Sequence, residues 1–184
     1  VRDLAWLWAL SNKETDAKAF FAKQKLPAGM GVFNQKLAAD YATRGDHSKF
    51  IKMQEKAITA SPEDMQIPTY YSRLVYAYSS AEMASKAVET VKTMGKVVTD
   101  DDLPWLDKYE DDDDVVKHAV EQYRSVLKGC AGQLLFAADK QKNKKKKAEF
   151  LAAVVELYAI YFKDYKEGEN DYNTRFNYAT ALYM

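Results

Sequence analysis

Apolar side chains recur along this chain at alternating steps of four and three, the spacing of one face of an α-helix. The clearest run is Val116, Val120, Tyr123, Leu127, Cys130, Leu134 and Ala137, which predicts a long helix over about 115–140. Asp114 is placed to cap its start, and the aspartates before it suit the positive end of the helix dipole. Leu151, Val154, Tyr158, Tyr161 and Tyr165 repeat the pattern in a helix over about 145–165. After a break at Lys166-Glu167-Gly168, Tyr172, Phe176, Ala179 and Tyr183 begin another. Rings on such stripes are expected in the core. The alternation that marks strands is nowhere sustained.

The N-terminal segments are shorter. Leu4, Leu7, Trp8 and Leu10 mark a first helix, and Ala17, Phe20 and Phe21 a second. Pro27-Ala28-Gly29 has the composition of a turn. Phe33, Leu37, Ala38 and Tyr41 predict a helix ended by Gly45 as a left-handed C-cap, and Asp46 caps the next, which Ser61-Pro62 breaks. Pro68 suits the first turn of a helix through Tyr71, Leu74, Val75 and Tyr78. Its partner carries Ala84, Ala87, Val88, Val91 and Met94. The expected organisation is helical hairpins over 1–99, an acidic connector over 100–114, and over 115–184 a long hairpin followed by the first helix of a truncated repeat. The connector reads as a hinge, with Trp105 pinning it.

Composition sharpens this picture. With 7 Gly and 4 Pro in 184 residues, breakers are too few for a turn-rich β-sandwich. The 27 basic and 27 acidic residues cancel, which removes the usual electrostatic footprint of a nucleic-acid binder. No apolar run approaches the roughly 20 residues of a transmembrane helix. Cys130 is the one cysteine, so no intrachain disulfide can form.

The stretch 31–64 carries a further pattern: Leu37-Ala38, Tyr41, the Gly45-Asp46 turn, Ala57 and Pro62. It resembles a tetratricopeptide repeat, in which small residues let the two helices of a hairpin approach and a proline ends the second. Asn34, Phe50 and Gln54 depart from the family pattern, which places a large residue, a small one and an aromatic there. One period of 34 residues onward, Ser72, Val75, Ala84 and Val91 stand at matching places. The resemblance implies an all-α fold of antiparallel hairpins stacked as a TPR-like α-solenoid. An irregular helical bundle satisfies the same periodicities.

The chemistry-bearing residues form no catalytic motif. The aspartates at 100–102 and 111–114 lack the alternation, glycine and closing glutamate of a calcium loop. Lys142 and Lys144–Lys147 lack the interleaved aromatics of a nucleic-acid surface. His118 falls off its helix's apolar stripe and His47 sits in a first turn. Cys130, on a buried stripe, reads as a small core residue. No cofactor, metal or catalytic residue is expected.

In TPR-like arrays the first helix of each hairpin lines a concave surface that holds peptides. By that resemblance Lys36, Tyr70, Arg73 and Tyr76 are the candidate partner-binding residues, with a protein or peptide as partner and no nucleic acid. The function implied is a non-enzymatic scaffold. The alternative is a helical-bundle enzyme or ligand-binding domain using the acidic 100–114 segment. Both ends read as cuts in a longer chain with further repeats. Degenerate repeats, Tyr-rich helices and Lys-rich linkers resemble bacterial cell-envelope repeat proteins, favouring a periplasmic or envelope-associated location over the cytoplasm.

Overall fold

The computed structural model describes residues 2–11, 13–26, 28–165 and 171–184. Among these the regular elements are all α-helices, ten in number. The chain parts into two compact units, 1–70 and 71–184. The expected breaks at Pro27 and at Lys166-Glu167-Gly168 lie outside the described residues.

The first unit holds α1 (Arg2–Leu10), α2 (Glu14–Lys23), α3 (Ala28–Thr43), α4 (His47–Ala60) and the start of α5 (Ile67–Ser80). Helix α3 packs against α1, α2 and α4. Its core gathers Ala5, Ala9, Ala17, Phe21, Phe33, Leu37, Ala38 and Met53. On α1 the alanines are buried, while Leu4 and Leu7, expected on the inner stripe, are exposed. Small residues there let the α1 and α3 backbones approach, and the leucines lie on the other side. Gly29, expected in a turn, is the second residue of α3. A Cβ there would lie 2.2 Å from the Phe21 ring, so the glycine serves a close approach.

Hairpin α3–α4 turns as its sequence predicts. Gly45 has φ +72°, its N–H donates to Ala42 O and that of Asp46 to Tyr41 O, and the Asp46 carboxylate caps α4 by accepting from Lys49 N at 3.1 Å. The same pair of bonds closes α2 at Lys25 and α5 at Glu82, both left-handed without being glycine. No atom lies within 4 Å of a Cβ built on Gly45. Gly45→Ala therefore meets no neighbour and is expected to cost only the strain of a Cβ in the left-handed conformation, about 1–2 kcal/mol of stability, read as a lowered urea midpoint at constant slope.

Polar groups lie inside the α3–α4 hairpin. Asn34 and Gln54, where the repeat pattern wants large or aromatic residues, are buried at 3% and 0% exposure. Gln54 Nε2 donates to Tyr70 O at 3.2 Å, covering the first turn of α5. Phe50 is half-buried at the edge of the core, and a Cβ on Gly31 would strike Ser61 Oγ. The helices thus approach closely at the Gly31 end.

The second unit holds the rest of α5, then α6 (Ala84–Thr99), α7 (Pro104–Tyr109), α8 (Asp113–Lys140), α9 (Lys144–Asp164) and α10 (Tyr172–Tyr183). The cap of α8 is Asp112, accepting from Val115 N at 3.2 Å, and Asp114 lies inside the helix. The acidic segment contains α7, which packs on α6 and α8 with Trp105 and Leu106 buried. Helices α8 and α9 form an antiparallel hairpin in which Tyr165 OH donates to Val120 O at 3.3 Å and Arg124 lies over the rings of Tyr161 and Tyr165.

Helix α9 runs in the same direction as α6. The pairs Glu82–Lys146, Ser85–Glu149 and Lys92–Glu156 all span 64 positions. A constant difference in residue number, where a hairpin would show a constant sum, means that α6 and α9 are parallel and in register. These exposed pairs add little stability, but they fix the direction.

Candidate interaction surface

The outward side of α5 is narrow. Ile67, Tyr70, Leu74 and Ala77 recur at steps of three and four and are all buried, as are Val75, Tyr78 and Ser79. Tyr70, expected on a groove, is thus a core residue at 8% exposure. The expectation took one stripe of α5 as buried, whereas two adjacent stripes are covered. Lys36 is exposed on α3 of the first unit, and Arg73 is exposed on α5 of the second.

Tyr76, one turn after Arg73, is half-buried. Its ring leans across to α8, where a Cβ on Gly129 would meet its hydroxyl at 2.4 Å. Burial raises its phenol pKa above the ordinary 10, with the neighbouring Cys130 adding to the shift. Gly129, Gly132 and Phe136 follow on α8 at steps of three and four, hence on one face. Nothing lies within 4 Å of a Cβ on Gly132. Phe136 is 62% exposed, and Lys140 Nζ sits 3.8 Å from its ring centroid. The result is a short strip on α8 whose backbone is uncovered at Gly132, bounded by Tyr76 over Gly129 at one end and by Phe136 at the other, with Arg73 one turn before Tyr76 on α5. Reading the sequence for the buried stripe of α8 passed over these three residues. The signal was present, as a phenylalanine one helical turn beyond paired glycines, all off the apolar stripe.

Behind the strip lies the one thiol. Cys130 is fully buried, its Sγ 3.1 Å from Ser79 Oγ, and burial pushes its pKa up to about 11 despite that hydrogen bond. A neutral, covered thiol is no nucleophile. His118 and His47 are exposed on α8 and α4.

Other charged and aromatic residues hold the helices together. Lys128 bonds Asp171 at 3.1 Å and lies over the Tyr161 ring, tying the start of α10 to α8. Tyr123, Tyr158, Tyr161, Phe162, Tyr165 and Tyr178 form a ladder of ring contacts through α8, α9 and α10. Burial raises the Tyr165 phenol to about 12, helped by the Asp164 charge. Of the aspartates near 100–114, Asp100 accepts from Asp102 N and Asp112 caps α8. Among the described residues no group of three His, Cys, Asp or Glu side chains is placed to hold a metal ion, and no helix is long and apolar enough to cross a membrane. In the lysine cluster Asn143 caps α9 and Lys146 pairs with Glu82. No protein-family model matches the chain, and no curated protein or solved structure does either.

Proposed function

We propose that the chain is a non-enzymatic scaffold of tetratricopeptide-like helical hairpins, and that a peptide or protein partner lies along the α5–α8 strip. The observation that carries this reading is the exposed Phe136 beside the uncovered Gly132, with Tyr76 over Gly129 and Arg73 next to it. An extended peptide needs a floor free of side chains and walls that grip, and exposed aromatic and arginine residues are where binding energy concentrates. The parallel direction of α6 and α9 fits the second helices of two successive stacked hairpins, and an up-down bundle of α6, α8 and α9 gives the same direction.

The test is selection of a displayed random peptide library on the 184-residue chain, followed by titration of the recovered peptides. Arg73→Glu and Phe136→Ser each remove a contact without touching the core. Each is expected to weaken the selected peptides by about 30-fold, the factor for a 2 kcal/mol hot spot. Peptides that bind both variants as tightly as the parent would discard the strip as the binding surface.

A further inference from the structure

The outer stripe of α10, expected in the core, is bare among the described residues, with Tyr172 77%, Phe176 60% and Tyr183 95% exposed. An apolar stripe alone selects no partner, whereas charge does, and charge gathers at the turn between α8 and α9. Residues 140–147 hold six lysines and no acid. Lys146 pairs with Glu82 beside the start of α6, and Lys140 lies over the Phe136 ring. Lys142, Lys144 and Lys145 are exposed and Lys147 is half-buried, and none of the four has an ion-pair partner among the described residues. The carboxylates nearby are Asp139, the paired Glu82, and Glu149, which accepts from Ser85, so the turn stays net positive. The start of α9 also runs against local electrostatics. Lys144–Lys147 fill its first turn, where the helix dipole favours acids and repels cations, and that turn holds no acid. Helix α8 begins in the ordinary way, with Asp113 and Asp114. A local rule broken without a local gain is expected at a functional position.

We propose that this lysine turn docks on an anionic lipid surface. Lysine clusters of this size bind acidic headgroups electrostatically, each lysine near the surface adding about 5-fold. The charge of the second unit is segregated lengthwise in a way that suits a plane. Helices α6 and α8 both run between this turn and the acidic segment, where 100–114 holds nine acids and one lysine. Helix α8, at 28 residues, spans ~42 Å, about five Debye lengths at physiological salt. The acids at the far end therefore do not cancel the field of the turn, and their repulsion from an anionic surface stands the unit on its lysine end. A nucleic acid fits less well. Over 138–149 there is no arginine and no aromatic ring to stack on a base, and a turn at the end of a hairpin offers no groove to track a backbone. At the same end Met83, the N-cap of α6, is 38% exposed, an apolar side chain that lipid accommodates and a phosphodiester does not. The docking draws on none of the residues of the α5–α8 strip, and either can fail without the other.

Co-sedimentation of the 184-residue chain with lipid vesicles is the test. Vesicles of phosphatidylcholine with ~30% phosphatidylserine are expected to retain the chain at ~50 mM salt, and vesicles of pure phosphatidylcholine are not. Lys144→Gln with Lys145→Gln is expected to weaken retention about 30-fold. Its helical circular-dichroism melt should be unchanged or raised, because two cations leave the positive end of the α9 dipole. Lys117→Gln with Lys163→Gln removes the same two charges at exposed positions toward the acidic end, and should leave retention as it was. Equal losses in the two double variants would assign the binding to net charge and overturn the docking site. So would a chain left in the supernatant of both kinds of vesicle. A short single-stranded oligonucleotide held as tightly as the anionic vesicles at equal phosphate would give the turn to nucleic acid, and overturns the proposal as well.

Discussion

Cys130 in the folded protein should react with a disulfide reagent at neutral pH about 10³-fold to 10⁶-fold more slowly than in the urea-unfolded chain. Two effects act in the same direction. The thiolate is the reacting species, and raising the pKa from 9 to about 11 leaves roughly 100-fold less of it at neutral pH. The sulfur is also fully covered, with Ser79 of α5 against it. Reagent therefore reaches it only when α5 and α8 separate, and labelling follows the population of that open state. Because the folded-state pKa is raised, the neutral thiol's stabilisation is complete below pH 9 and is lost as the pH climbs toward 11. The raised tyrosine Tyr165 adds a similar loss between pH 10 and about 12. Labelling in folding buffer should accordingly steepen above pH 9, beyond the ionisation of a free thiol. A native rate within tenfold of the unfolded one would mean that the α5–α8 contact is not closed.

The long helices were legible because their stripes are long. Tyr123, Leu127, Cys130 and Leu134 lie on the predicted face of α8 and are buried, and about three turns of agreement leave little room for another reading. Short or doubly covered elements were not. Helix α7 has six residues, under two turns, so periodicity has nothing to count. Four consecutive aspartates offer four capping side chains, and only the packing of α8 decides that Asp112 takes the role. Tyr70 looked exposed because a stripe identifies one buried side, whereas α5 is covered on two. The α10 stripe failed in the opposite sense. Apolar spacing says that a face seeks cover, and says nothing of whether the described residues supply it. The strip at Gly129, Gly132 and Phe136 escaped because a binding surface breaks the pattern that reveals a core.

Trp105→Ala should cost the second unit about 3–5 kcal/mol, the range for a fully buried aromatic truncated to a methyl group. The ring is 1% exposed, packs at 5.4 Å on Tyr109, and belongs to a helix too short to hold itself in water. Its burial is what keeps α7 against α6 and α8, in the middle of a segment otherwise rich in exposed aspartates. Trp105→Phe separates packing from polarity. The indole Nε1 is buried without an acceptor, so removing that N–H relieves a penalty of about 1–3 kcal/mol while keeping most of the ring. It should leave stability within about 1 kcal/mol of the parent. Asp101→Asn and Asp111→Asn, at exposed positions, should change it by less than about 0.5 kcal/mol. Urea melts followed by circular dichroism give these values without relying on the tryptophan being removed. Labelling of Cys130 supplies the independent check. If the second unit opens as one cooperative body, a 3 kcal/mol loss at Trp105 must speed that labelling about 100-fold, although the two side chains lie on different helices. A melt that shifts while the labelling rate stays fixed would show that α7 detaches alone. The acidic segment would then be a separately mobile flap, with α5 and α8 closed behind it.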